Sequence, residues 1–271
     1  MRATAIDRTV AQAEDEGIGD PILVLHGGMG DSTAWSRVTD RLRDRFRTVR
    51  LHRRQYRSDL PRPVSMADEV EHVAAIAGEL ERPVLVGHSS GAVLALEAMV
   101  ADPGCYAGAV LYEPPVVIDA PLGGKRLVPA RAALAEGRPG RALTIFLRDV
   151  VQLPPAAAIA GGVVGGHGHL RDRIVQQLDD SDAIDELGNR LGEYATLKLP
   201  MLLIGGDRSP RHLGERLDAL ERVLPQSRRL LMHGQGHNAE RQAPDRLATA
   251  IASFMDGLEP DAERADRQAG S

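Results

Sequence analysis

Short apolar runs alternate with amphipathic stretches through both ends of the chain. The runs fall at 22–25, 49–51, 84–86, 109–112, 201–204 and 229–232. Taken together they are apolar on both faces, which suits strands of a parallel sheet covered on both sides. Between them, segments 32–44, 66–80, 89–100, 211–224 and 245–255 carry apolar residues at helical spacing and predict helices. Strand and helix in regular alternation is the pattern of a sheet with helical crossovers. Residues 7–16 predict an antiparallel pair at the start of that sheet.

Across 114–199 the alternation breaks, because prolines and glycines interrupt helical stretches and no apolar run reads as a strand. Helices are expected near 125–136, 141–150, 170–179 and 182–194, joined by the glycine-rich piece Gly161-Gly162-Val163-Val164-Gly165-Gly166. A long insertion within a compact domain is usually functional, and a lid is the natural reading. Beyond Leu258 the sequence is charged, rich in small residues and free of aromatics, which predicts a disordered tail. The expected organisation is therefore a core in two parts, 1–113 and 200–257, a helical lid at 114–199 and a tail at 258–271.

Composition narrows the choice of partner. A chain of 271 residues can bury a large core, and its net charge of −5 disfavours nucleic acid and anionic membrane, which call for a basic surface. A small-molecule substrate is the expected partner. Cys105 is the lone cysteine, so no intramolecular disulfide forms. The N-terminal residues lack the apolar core of a signal peptide, and no apolar stretch approaches the roughly 20 residues that span a bilayer, so a cytoplasmic location is expected.

The chemistry follows the strands. The run at 84–86 stops at Gly87-His88-Ser89-Ser90-Gly91, and helical periodicity restarts at once. A strand that reverses into a helix within so few residues strains the central residue, and glycines two positions away leave room for the turn. In open α/β sheets, reactive groups gather at the carboxyl ends of strands. His26-Gly27-Gly28-Met29-Gly30 follows the first run, Gly205-Gly206-Asp207 the fifth, and Gly236-His237 the last.

With these residues in place, the chain from about Asp20 to Met255 resembles the α/β-hydrolase family. Val24-Leu25-His26-Gly27-Gly28 is similar to its oxyanion loop, and Arg53-Arg54-Gln55-Tyr56-Arg57-Ser58 to a degenerate form of its arginine and glycine turn. Val86-Gly87-His88-Ser89-Ser90-Gly91 resembles the nucleophile elbow, Gly206-Asp207-Arg208-Ser209-Pro210 the acid loop, and Gly234-Gln235-Gly236-His237 the histidine loop. The resemblance implies a mostly parallel sheet with helices on both faces, a helical lid, and catalysis without cofactor or metal. It also implies Ser89 as nucleophile, His237 as base and Asp207 as orienting acid, with the N–H groups of Gly28 and Ser90 as the oxyanion hole. Members that open epoxides or displace halide use a carboxylate nucleophile, which Ser89 argues against.

The expected reaction is hydrolysis of an ester, thioester or lactone through an acyl-enzyme. The alternatives are a lyase, acyltransferase or cyclase of natural-product biosynthesis on the same triad, or a binding protein that retains the pocket with little turnover. Glu113, directly after the run at 109–112, is the substitute for Asp207, which could instead be a loop aspartate capping the helix near Pro210. His26 and His88 are read as packing or hydrogen-bonding residues, and His167-Gly168-His169 as a surface loop rather than half a metal site. Leu127, Leu143, Ile145, Leu147, Val150 and Leu153 are candidate apolar walls, with Phe146 and Tyr194 the aromatic residues near them.

Overall fold

The structure, a computed structural model, describes residues 1–164 and 170–258. The expected tail beyond Leu258 and the His167-Gly168-His169 loop lie outside the described residues. Eight strands form one sheet: β1 (Arg2–Thr4), β2 (Val10–Glu16), β3 (Pro21–Leu25), β4 (Arg47–Leu51), β5 (Val84–His88), β6 (Gly108–Tyr112), β7 (Met201–Gly206) and β8 (Ser227–Met232). Their spatial order is β1-β2-β4-β3-β5-β6-β7-β8, with β1, β2 and β4 joined antiparallel and all other pairs parallel.

Helices α1 (Ser36–Thr39), α2 (Met66–Ala77) and α3 (Ser90–Ala101) link the first strands, and α9 (Arg211–Val223), α10 (Ala239–Gln242) and α11 (Pro244–Asp256) accompany the last. Alternate strand residues point to opposite faces, so each face builds its own core. Leu23, Leu25, Leu85, Leu111 and Leu203 pack with α2, α3 and α9. Ile22, Val24, Val86, Val110 and Ile204 pack with α11 and Trp35 on the other side. The helix expected at 32–44 is mostly turns around the four residues of α1. There the Thr39 hydroxyl bonds the carbonyls of Trp35 and Ser36, competing with helical bonds of the main chain.

Between β6 and β7 the chain is helical: α4 (Val128–Ala135), α5 (Pro139–Asp149), α6 (Pro155–Val164), α7 (Leu170–Leu187) and α8 (Leu191–Tyr194). Two expectations are corrected here. The glycine-rich piece is helical through Val164, because Gly161 and Gly162 let α6 lie close on α5, where a Cβ at Gly162 would overlap Thr144 and the Gly140 carbonyl. The gap expected between 179 and 182 closes, so that α7 runs unbroken to Leu187, and the rest of the segment expected at 182–194 breaks at Gly188 and restarts as α8. A run of aspartates opposes helix on propensity, but tertiary pairing overrides it. Asp179 meets Arg62 and Arg131, Asp180 meets Arg53, and Asp182 meets Arg131.

Register places the chemistry. Leu25 lies beside Gly87, His88 beside Tyr112, and Tyr112 beside Ile204, so β3, β5 and β6 end level with one another. The residues that follow them, His26 to Gly28, Ser89 and Glu113, leave along one edge of the sheet. β7 runs two residues further, with Gly205 beside Leu231 and Gly206 beside Met232.

Candidate active site

Ser89 sits between β5 and α3 with φ 52° and ψ −125°, a backbone region that costs a non-glycine residue of order 1–3 kcal/mol and clusters at functional sites. Its surroundings enforce that turn. A Cβ at Gly87 would collide with the backbone of Gly91 and Ala92, and one at Gly91 with the carbonyl oxygens of Leu25 and His26. Both glycines of the pentapeptide are therefore required by close backbone approach. The Ser89 N–H donates to the Tyr112 carbonyl at 2.8 Å, which ties the elbow to β6.

His237, in the loop after β8, hydrogen-bonds through Nδ1 to Glu113 Oε2 at 2.6 Å. Glu113 is 1% exposed, and its other oxygen, Oε1, accepts the Gly206 N–H at 2.7 Å. Asp207, the expected acid, is elsewhere. Its Oδ1 accepts the Gly234 N–H at 2.7 Å and its Oδ2 meets His233 Nδ1 at 3.2 Å. The length of β7 explains the difference: the strand keeps pairing through Gly206, beside Met232, so Asp207 emerges one residue further on and meets the turn after β8 at once. The bond from the Gly234 N–H holds the Asp207 carboxyl below the usual range. Neither does Asp207 cap α9, whose N-terminus has no side-chain cap.

Two residues hold the histidine loop. The Tyr112 hydroxyl donates to the Gly236 carbonyl and accepts the Ala239 N–H, bracketing His237. His88 Nε2 donates to the His237 carbonyl at 2.9 Å, and its ring lies against those of Tyr112 and His237, with centroids 5.0 and 4.9 Å away. Burial and the nearby His237 push the His88 pKa well below that of a free imidazole. His26 is likewise held down, to about 3, by burial and by the Arg53 charge.

Ser89, Ser90 and His237 line one pocket of about 40 Å³. Pro115, Leu122, Phe146, Val150, Val151 and Ile184 form its apolar wall, and Gln177, Ser181 and His212 its polar one. Gln177 Oε1 also rests directly on Gly28, so α7 covers the first loop. Of the expected wall residues Val150 lines the pocket, as does the nearby aromatic Phe146; both also belong to the insertion's own core, where Leu127, Leu143 and Ile145 pack without lining the pocket. Tyr194 is buried instead against Glu97, donating to its carboxylate at 2.7 Å. Gln177, Ser181 and His212 were not legible from sequence, since isolated polar residues on helices carry no spacing signal. A larger open groove of about 560 Å³ between β8 and α11 contains none of these groups.

Residues 22–250 match the sequence profile of the alpha/beta hydrolase family. The chain belongs to that family. Among relatives of this alpha/beta hydrolase is 2-(acetamidomethylene)succinate hydrolase of Mesorhizobium japonicum, 25% identical over 94% of this chain and 95% of that protein. An alpha/beta hydrolase from Sphaerobacter thermophilus superposes with a TM-score of 0.80 at 24% identity, covering 94% of this chain and all of the other. A thermophilic esterase from Thermogutta terrifontis superposes with a TM-score of 0.73 at 21% identity, covering 96% and 99%. At such identities the superpositions speak to the fold. Among the described residues, no cluster of three potential metal ligands occurs and no helix is long and apolar enough to cross a membrane.

Proposed function

We propose that this alpha/beta hydrolase is a serine hydrolase that cleaves an ester, thioester or lactone of a small substrate through an acyl-enzyme on Ser89. The carrying observation is the buried Glu113 carboxylate on His237 Nδ1, at 2.6 Å, with His237 and the strained Ser89 facing one pocket. A serine hydroxyl is a weak nucleophile near neutral pH and needs a base to take its proton as the new bond forms. His237 Nε2 is that base, and Glu113, by accepting a hydrogen bond from Nδ1–H while staying ionised, keeps the Nε2 lone pair free and stabilises the imidazolium that follows.

As Ser89 Oγ adds to the substrate carbonyl, charge develops on its oxygen, and the N–H groups of Ser90 and Gly28 receive it. The histidine then returns its proton to the leaving group, and the ester bond breaks. Water, deprotonated by His237, attacks the acyl-Ser89 carbonyl, and collapse of that second intermediate releases the acid and restores the hydroxyl. The helical insertion acts as a lid that sets specificity. A cavity of about 40 Å³ is a few times the roughly 10–15 Å³ a single water requires, enough for a short acyl chain.

A fluorophosphonate tests the reading. It should label the folded protein on Ser89, and Ser89→Ala should abolish both labelling and ester turnover. Equal labelling of Ser89→Ala, or none of the wild type, would overturn the assignment.

A further inference from the structure

Arg53 is a fully buried cation in the turn after β4, and all five of its N–H groups are engaged. Nε and Nη2 donate to Glu69 Oε1, the former at 3.0 Å, and Nη2 also donates to Asp180 Oδ1 at 2.8 Å. Nη1 donates to the His26 carbonyl at 3.1 Å and to Ser90 Oγ at 2.8 Å. These last two partners belong to different segments. The His26 carbonyl leads directly into Gly27-Gly28, and Ser90 is the first residue of α3. One nitrogen therefore spans the two pieces of backbone that supply the oxyanion donors.

Of the two acidic partners, one comes from the insertion. Asp180, 1% exposed, lies on α7, the helix that contributes Gln177 and Ser181 to the pocket. Its second oxygen accepts the Tyr56 hydroxyl at 2.7 Å. A planar guanidinium can hold such a set of acceptors in one fixed geometry, which an ammonium cannot.

We propose that Arg53 is a positioning residue that locks the Gly28 and Ser90 segments into one oxyanion site, and that Asp180 makes this lock depend on the seating of α7. This rests on the serine hydrolase reading. Without the Asp180 charge, the guanidinium is drawn to Glu69 alone, and Nη1 leaves the His26 carbonyl and Ser90. Oxyanion donors act on charge present only in the transition state, so their misalignment lowers kcat and spares KM. A helix that merely walls the pocket would do the opposite.

The test uses p-nitrophenyl acetate turnover and the rate of fluorophosphonate labelling at Ser89. Asp180→Asn is expected to lower kcat by at least roughly tenfold, part of the 10²–10³ seen when a donor is removed outright, with KM within about twofold. The labelling rate should fall in the same proportion. Asp179→Ala removes ion pairs of the same helix with Arg62 and Arg131 without touching Arg53, and should leave both constants near wild type. If Asp180→Asn fails to fold by circular dichroism, Tyr56→Phe decides, with a loss of kcat of about threefold or more expected and an unchanged kcat overturning the proposal. A wild-type kcat in Asp180→Asn, a rise in KM alone, or an equal loss in Asp179→Ala overturns it too. Absence of Ser89 labelling in the wild type would remove the hydrolase reading together with this inference, whereas labelling at undiminished rate in the variants removes this inference alone.

Discussion

Replacing Glu113 by Gln changes one atom of a buried carboxylate and is expected to collapse turnover. The geometry says which way the amide will sit. Oε1 accepts the Gly206 N–H at 2.7 Å, so the carboxamide oxygen is retained there and the NH2 is turned toward His237 Nδ1, which Oε2 meets at 2.6 Å. An NH2 donates, so Nδ1 must become the acceptor and the ring proton moves to Nε2. The base then has no lone pair for the serine proton. The equivalent change in a serine protease triad lowers kcat by about 10⁴, or roughly 5.4 kcal/mol of barrier at 1.36 kcal/mol per decade. Glu113→Gln should show a loss of that order in p-nitrophenyl acetate turnover, with a melting temperature that confirms folding. Asp207→Asn, whose partners are His233 and Gly234, should stay within about threefold of wild type. A Glu113→Gln rate within tenfold of wild type, or a collapse in Asp207→Asn, would refute the reasoning.

Further outcomes follow from the same contacts. Gly91→Ala drives a Cβ into the Leu25 and His26 carbonyls, where backbone must move, and should cost about 3 kcal/mol, the upper end for overpacking, lowering Tm by roughly 6 °C or more; an unchanged Tm would contradict it. Tyr112→Phe leaves the Gly236 carbonyl and the Ala239 N–H without their partner and should cost about 1–3 kcal/mol in urea unfolding and several-fold in kcat; no change in either would show that the hydroxyl does not hold the histidine loop. His26 and His88 have folded pKa values depressed by burial, so between their unfolded value near 6.5 and those lower values the unfolded chain binds more protons. Their stabilisation is complete above about pH 6.5 and declines as the pH falls, by up to about 1.4 kcal/mol per pH unit for each. Urea midpoints should therefore drop from pH 7 to pH 5, and His26→Asn should flatten the decline; midpoints that rise on acidification would be the contrary result.

Much of the core was legible in sequence because it is written in local patterns. Buried strands such as β5 and β6 are apolar at nearly every position, and all six runs read from the pattern are strands of the sheet. Ser89 is marked by glycines that steric contact requires. What was not legible depends on register and on distant charge. Asp207 fits the acid motif in spacing, yet whether β7 ends at Ile204 or Gly206 decides where its carboxylate points, and only pairing with β8 fixes that. Glu113 has no motif of its own beyond following a strand. α7 reads as two segments because Asp179, Asp180 and Asp182 break the helical pattern, and their cations lie far away in sequence, at Arg53, Arg62 and Arg131. The pocket wall shows the same limit: Leu143 and Phe146 share a helical face in α5 and both pack in the insertion core, but Phe146 also lines the pocket and Leu143 does not.

The central claim is a covalent acyl group on Ser89, formed and released with the help of a histidine held by Glu113. Acid quenching of the protein during turnover of p-nitrophenyl acetate, followed by peptide mass spectrometry, tests it directly. One acetyl group is expected on the peptide carrying Ser89, none in Ser89→Ala, and strongly slowed formation in Glu113→Gln. Turnover without an adduct in a quench series resolving the first catalytic cycle, or an acetyl group on another residue that chases into product, would contradict it.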